Sequence, residues 1–321
     1  SYTDRSAAVL IAEKLAPVVA GRDPLDVGGA AVGMAQAVRN IGRPGVASTA
    51  ISAVDIALWD LKAKLLRLPL VKLLGAVRDR VDVYGSGGFT SYDDGRLRDQ
   101  FRQWASEGVR MMKMKVGREV GRDVRRAEVA RRAIGDGVEL FVDANGAYSR
   151  KQALALAEQF AKLGVTWFEE PVSSNDLDGL RLLRDRAPAG MDIAAGEYAW
   201  DLASFRTLLL AGAVDVMQPD ATRCGGVTGF LEAAALCHAF EIPLSAHTAP
   251  AIHAHLGCAD AGVRHIEYFH DHARIEAMLF DGTARPVDGA LVPDLGRPGL
   301  GIELRRREVE RYRVGEEARV G

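Results

Sequence analysis

The sequence predicts an α/β protein: a parallel (β/α)7β barrel preceded by a helical segment. Three observations carry this. Eight short apolar runs recur roughly every 25 residues from Val81 to Tyr268, as expected for parallel strands buried on both faces. Between them lie stretches of helical periodicity with a polar face. Most runs also end on isolated polar residues: Lys113 and Lys115, Asp143, Glu169 or Glu170, Glu197, Asp220, His247 and Glu267. In a β/α barrel the C-terminal strand ends carry the chemistry, so these residues read as a ring around one pocket.

The elements follow in order. Ser6 to Ala20 carries Val9, Leu10, Ala12, Leu15 and Ala16 at helical spacing, and Val27 to Ile41 is Ala-rich with few breakers. Ser48 to Leu66 reads as a strong helix with Ser48 or Thr49 as N-cap, ended by Leu68-Pro69. The expected strands are Val81–Tyr84, Met111–Val116, Leu140–Asp143, Thr166–Glu169, Ile193–Gly196, Val214–Gln218, Pro243–His247 and His265–Tyr268. The expected helices between them are Asp94–Glu107, Arg122–Ile134, Arg150–Leu163, Asp176–Asp185, Leu202–Ala211, Val227–Phe240 and Pro250–Ala261. No helix is required after the eighth strand, because the tail, Leu291–Val314, can return to the first domain. The expected limits are 1–78 for the helical part, 79–272 for the barrel and 273–321 for the returning segment.

Composition excludes several function classes. With 321 residues, 48% hydrophobic and 26% charged, the chain is an ordinary globular one, and a net charge of -2 gives no reason to expect nucleic acid or an anionic membrane as partner. The three cysteines, Cys224, Cys237 and Cys258, lack zinc-site spacing and suit a reducing compartment. No apolar run approaches the ~20 residues of a membrane span, and no signal peptide opens the chain, so a cytoplasmic location is expected.

The polar residues divide by chemistry. Lys113 and Lys115 alternate on one strand, so both face the barrel mouth while Met112 and Met114 pack outward. Two ammonium groups repel, and burial disfavours charge, so one of the two is expected to be neutral near pH 7 and to act as a base. Asp143, Glu169 (or Glu170) and Glu197 end three consecutive strands, and such an oxygen-only set suits a hard divalent cation. Periodicity alone does not choose between Glu169 and Glu170. Asn145 follows Asp143 by two residues and can reach a ligand or substrate. Asp220 beside His247 would fix the imidazole tautomer and raise its basicity. Glu267, on the last strand, could hydrogen-bond to developing oxyanion charge. His238, His253, His255, His265, His270 and His272 read as structural or surface groups, since i and i+2 on a helix do not share a face. Gly225-Gly226-Val227 opens a helix that could bind an anion, on weak grounds.

The motifs KMK on the second strand, VDAN on the third, WFEEP on the fourth, GE on the fifth, QPD on the sixth, SAH on the seventh and HIEY on the eighth together resemble the enolase superfamily, mandelate racemase subgroup. The resemblance covers residues 81 to about 270. It implies a modified TIM barrel, (β/α)7β, with the helical part of an α+β capping domain. It implies one Mg²⁺ on Asp143, Glu169 and Glu197, choosing Glu169 over Glu170. Lys115 becomes the base on one face of the α-carbon and His247, paired with Asp220, serves the other. Lys113 tunes Lys115 and holds the substrate carboxylate, and Glu267 hydrogen-bonds to the enediolate, so Lys113, Asn145, His247 and Glu267 all contact substrate. The muconate lactonizing branch fits less well: it usually has Asp in place of Glu197 and a lysine on the sixth strand, whereas no lysine follows Lys162 here.

The implied reaction abstracts the proton α to a carboxylate. Loss of a β-hydroxyl then gives a 2-keto-3-deoxy acid, making the chain an acid-sugar dehydratase, a hydro-lyase. Return of the proton to the other face would make it a racemase or epimerase of a 2-hydroxy acid. A third reading is a non-catalytic protein that keeps the barrel. A homo-oligomer is the family expectation. The family's N-terminal β-meander has no counterpart before Ser6, so the chain reads as lacking that part of the cap.

Overall fold

A computed structural model describes residues 3–313. Eight strands, β1 (Val81–Gly87), β2 (Met111–Lys115), β3 (Glu139–Asp143), β4 (Val165–Glu169), β5 (Asp192–Ala195), β6 (Val216–Met217), β7 (Leu244–Ala246) and β8 (Val263–Phe269), pair in chain order, and β1 pairs with β8 to close the barrel. The barrel pairings are all parallel. Four of the seven helices between them start at a side-chain cap. Asp93, Asp176 and Asp201 accept the N–H groups of Arg96, Gly179 and Ser204, and Ser149 with Gln152 forms a capping box.

Period-two alternation sorts the strand residues. Met112, Met114, Val142, Phe168 and Ile193 face outward into the core shared with the helices. Tyr84, Phe141, Trp167, Ala194 and Val216 face inward and form a separate cluster inside the barrel. Phe141 and Trp167 stack at 5.4 Å, and burying each such ring contributes roughly 1.5–3 kcal/mol. The next inward positions on β2, β3 and β4 are Lys113 and Lys115, Asp143 and Glu169. The apolar cluster is therefore the floor of the site.

Four features differ from the sequence expectation. A helix, His270–Leu279, follows β8 and lies against β8 and β1. It covers an outer face that would otherwise meet water, and it crosses the expected boundary at residue 272. Its HDHARIEAML sequence is too polar to announce it. The helix Val46–Leu65 starts earlier than expected, with Gly45 as N-cap at φ +78°. Ser48 instead donates to the Trp200 carbonyl at 2.5 Å and Thr49 to that of Gly45 at 3.1 Å. The first helix is interrupted: a π-helical stretch, Ile11–Leu15, separates Ser6–Leu10 from Ala16–Val19. Pro17 cannot donate to a carbonyl one turn back, and a wider turn accommodates it. A short helix, Leu70–Leu74, was also not foreseen.

Val314, at the end of the tail, lies outside the described residues. Ala290–Leu291 pairs antiparallel with the start of β1. Leu300 N–H donates to Asp60 at 2.7 Å, and Lys64 pairs with Glu303 at 3.0 Å. No helix among the described residues is long and apolar enough to cross a membrane.

The helical segment meets the barrel closely at Thr228. Trp59 Nε1 donates to Thr228 Oγ1 at 3.0 Å, and Asp55 accepts from Thr228 N and Oγ1 at 3.0 and 2.6 Å. Gly226 permits this approach: its φ is +79°, and a Cβ there would lie 2.1 Å from Asp55 Oδ1. Gly226→Ala is therefore expected to destabilise the fold by at least about 2 kcal/mol. An unchanged urea midpoint would show that the junction relaxes freely.

Candidate active site

The two lysines of β2 enter the barrel as alternation requires. Lys113 is fully buried, and its Nζ lies 2.6 Å from Glu169 Oε2, 2.8 Å from Glu267 Oε1 and 3.3 Å from Asp143 Oδ2. Lys115 is nearer the opening and pairs with Asp143 Oδ2. The expectation of a neutral lysine is overturned for this arrangement. Burial pulls both ammonium groups down, but Glu169 and Glu267 around Lys113, and Asp143 beside Lys115, more than offset it and hold both above the ordinary lysine range. Mutual repulsion is the smaller effect because carboxylates surround both groups.

Asp143, at the end of β3, also accepts the Asn145 N–H at 2.9 Å. Glu169, at the end of β4, has one oxygen saturated and one free. Oε2 accepts from Gln218 Nε2 at 2.8 Å and Trp167 Nε1 at 3.2 Å, besides its ion pair with Lys113, whereas the buried Oε1 has no hydrogen-bond partner among the described residues. Burial and then the Asp143 charge push Glu169 up to about 8. Glu170 joins the same cluster. The strand ends at Glu169, and Glu170 takes a φ of +37°, so facing rules for strands no longer apply. It is buried, its Oε1 has no hydrogen-bond partner among the described residues, and burial followed by Glu197 and Asp143 lifts it to about 9.

Glu197 follows Gly196, whose φ of +137° lets the chain pass where a Cβ would stand 2.9 Å from the Gln218 nitrogen. Its Oε2 lies 2.7 Å from His247 Nε2 and its Oε1 3.5 Å from Arg223. Asp220 and His247 sit just beyond the ends of β6 and β7. His247 Nδ1 lies 2.9 Å from Asp220 Oδ2, while Thr222 N and Oγ1 donate to Asp220 Oδ1 at 2.7 and 2.6 Å. Burial disfavours the imidazolium, but Glu197, Glu267 and Asp220 outweigh it and raise His247 to about 10. Glu267 bridges the two halves: Oε1 meets Lys113, and Oε2 accepts the Thr248 N–H at 3.2 Å and lies 3.5 Å from His247 Nε2.

Above this layer opens a cavity of about 540 Å³, lined by Lys115, Asn145, Glu197, Tyr198, Arg223 and His247 among others. Lys113, Asp143, Glu169 and Glu267 form its buried base rather than its wall. Sequence reasoning passes over Gln218, keeps Glu170 only as the alternative to Glu169, and does not choose for Arg223, close after Asp220, between contact with a distal hydroxyl or carboxylate and the surface. Arg223 is in fact 5% exposed and binds the Glu197 carbonyl at 3.1 Å. Its spacing of three residues from Asp220 was the available signal. The set-aside histidines prove structural where bonded: His253 accepts from Ala221 N and bonds the Thr248 carbonyl, and His255 accepts from Val71 N and bonds that of Leu300.

Among the described residues, no three acid, histidine or cysteine donors are gathered as a ready metal cage. The reason is visible: Lys115 engages Asp143, while His247 and Arg223 engage Glu197. The donor chemistry nevertheless fits a dication. Six buried carboxyl groups (Asp143, Glu169, Glu170, Glu197, Asp220 and Glu267) face four basic side chains (Lys113, Lys115, Arg223 and His247); Glu169 and Glu170, raised to about 8 and about 9, hold protons near neutral pH that a dication could displace, leaving two negative charges to offset it. Glu169 Oε1 and Glu170 Oε1 are buried acceptors without a hydrogen bond, and hard oxygen donors of this kind suit Mg²⁺.

A closed parallel barrel with lysines, acids and an Asp–His pair gathered at its C-terminal strand ends defines an α/β-barrel enzyme of acid–base chemistry. Residues 96–309 match the family model described as enolase C-terminal domain-like, and residues 1–75 match the mandelate racemase / muconate lactonizing enzyme N-terminal domain. The chain therefore belongs to the mandelate racemase / muconate lactonizing enzyme family of the enolase superfamily. It is 34% identical over 298 residues to the L-talarate/galactarate dehydratase of Salmonella typhimurium, covering 91% of this chain and 72% of that protein. A mandelate racemase/muconate lactonizing enzyme-like protein from Rubrobacter xylanophilus superposes with a TM-score of 0.94 at 54% identity, over 97% of this chain and 86% of that one. A racemase from Streptomyces coelicolor A3(2), solved with bound magnesium, superposes with a TM-score of 0.91 at 30% identity, over 98% and 86% of the two chains.

Proposed function

We propose that this chain is a Mg²⁺-dependent acid-sugar dehydratase, a hydro-lyase that converts a sugar acid to a 2-keto-3-deoxy acid. One observation carries the reading: Lys115 and an Asp220-anchored His247 line the same cavity from different sides of the ring, with β1 and β8 between their strands. The 34% identical dehydratase supports it.

Asp143, Glu169 and Glu197 would hold the metal. When bound, Mg²⁺ supplies Lewis-acid charge at the substrate carboxylate. Lys115, once released from Asp143 and neutral, would remove the α-proton. Lys113, at the base of the site, stabilises negative charge developing on the carboxylate oxygens, and Glu267 beside it would do so only once protonated, by donating a hydrogen bond. Asp220 holds Nδ1 of His247, so Nε2 carries the mobile proton. Held protonated by its carboxylates, His247 donates that proton to a departing β-hydroxyl. Asn145 reaches substrate from the loop after β3. Residues 1–78 cap the mouth of the barrel, 79–272, and residues 273–321 return to the cap. Assembly as a homo-oligomer in the cytoplasm belongs to the same proposal, and light scattering checks the assembly.

The test is a panel of aldonic and aldaric acids, with Mg²⁺, read for 2-keto acid. Product formation is the expected result. The magnesium-bound racemase among the structural relatives favours a second reading: α-proton exchange into deuterated water, with no loss of water from the substrate, would replace dehydration by racemisation or epimerisation. Neither exchange nor product across the panel would leave a non-catalytic barrel.

A further inference from the structure

The loop after β2 carries a second arginine into the cavity wall. Arg118 lines the same opening as Lys115, three residues before it in the chain. Its backbone is held firmly. Gly117, at φ +97°, packs where a Cβ would come 2.5 Å from the Ala147 Cβ. The Gly117 N–H donates to Asp123 Oδ2 at 3.0 Å, and Tyr148 OH donates to the same oxygen at 2.6 Å. Asp123 is itself buried.

The other cations of this wall are engaged. Lys115 has Asp143, Arg223 has Glu197 and Asp220, and His247 has three carboxylates. Arg118 makes no hydrogen bond or ion pair among the described residues. The acid next to it in the chain is already taken: Glu119 pairs with Arg122 at 3.3 Å. A guanidinium is a forked donor matched to a carboxylate. Its place at the exposed rim puts it at the far end of a substrate whose α-carbon lies between Lys115 and His247.

We propose that Arg118 binds the second carboxylate of a dicarboxylic sugar acid, so that the substrate class is the aldarates rather than the aldonates. This rests on the acid-sugar reading above and deepens it. Six-carbon aldarates and the aldonates of the same configuration are compared in kcat/KM, in the native protein and in Arg118→Gln. The native protein is expected to prefer aldarates roughly 10- to 100-fold, and the variant to lose that preference through KM. Arg132→Gln, which removes a charge from an 81% exposed side chain on the following helix, is the control and keeps the preference. A native preference for aldonates, or a ratio unchanged by Arg118→Gln, overturns the proposal. If neither class is turned over, calorimetry with Mg²⁺ and each acid separates the questions. Aldarate binding weakened by Arg118→Gln upholds the subsite while dehydration fails. Equal binding to native and variant, or no binding, overturns the subsite as well.

Discussion

Lys115→Ala is expected to lower kcat by at least about 10³-fold, and His247→Asn by a similar factor, because each removes a positioned acid–base group. Neither change should unfold the protein. Lys115 stands at the cavity wall, and its loss leaves Asp143 with Lys113 at 3.3 Å. The two variants should part company in deuterated water. His247→Asn keeps Lys115 and should still exchange the α-proton while losing no water. Lys115→Ala should do neither. Wild-type exchange in Lys115→Ala would remove the lysine from its role, whatever the fate of the β-hydroxyl. Native circular dichroism and an unchanged thermal midpoint serve as the folding control.

Removing the metal should have an effect as large. Dialysis against a chelator is expected to abolish turnover, and returning Mg²⁺ should restore it. The protein itself supplies a second readout. A ligand that binds only the folded state stabilises it by about 2.7 kcal/mol at a hundred times its Kd. Without metal, Glu169 is raised from 4.5 to about 8 and Glu170 from 4.5 to about 9, with burial the leading cause in both. A carboxyl whose folded pKa is raised contributes most to stability below its unfolded value, and that contribution is lost as pH rises through the folded one. Metal-free protein should therefore lose stability from about pH 4.5 upward through about 8 and 9, and the midpoint gained on adding Mg²⁺ should be largest at the alkaline end. Glu169→Gln should shrink that gain. A thermal midpoint indifferent to Mg²⁺ at every pH would argue against a metal among these carboxylates.

Much of this site could be read along the chain. Each strand is an apolar run of known period, so a residue at its C-terminal end has a calculable facing. That logic places Lys113, Lys115 and Asp143 at the barrel mouth without any knowledge of contacts, whereas the choice of Glu169 over Glu170 comes from the resemblance. It stops where the strand stops. Glu170 lies one residue past β4, and its positive φ brings it into the cluster that alternation would assign it away from. The helix His270–Leu279 was missed for a related reason: its apolar surface is small, and only the uncovered flank of β1 and β8 explains it.

By itself the sequence determined the barrel, the order of its strands and most members of the ring, because burial on two faces imposes a local, periodic pattern that survives without tertiary information. Charge was decided only in the folded molecule. Lys115 beside Lys113 reads as a pair of repelling ammonium groups, yet Asp143, 28 residues later, holds Lys115, and Glu267 from the last strand helps hold Lys113. Arg223 joins Glu197 to Asp220, while Arg118 lines the cavity and its chain neighbour Glu119 is paired with Arg122. Coulomb interactions depend on distance in space, whatever the separation in the chain, so the protonation of the ring belongs to the tertiary structure even where its membership is legible in the sequence.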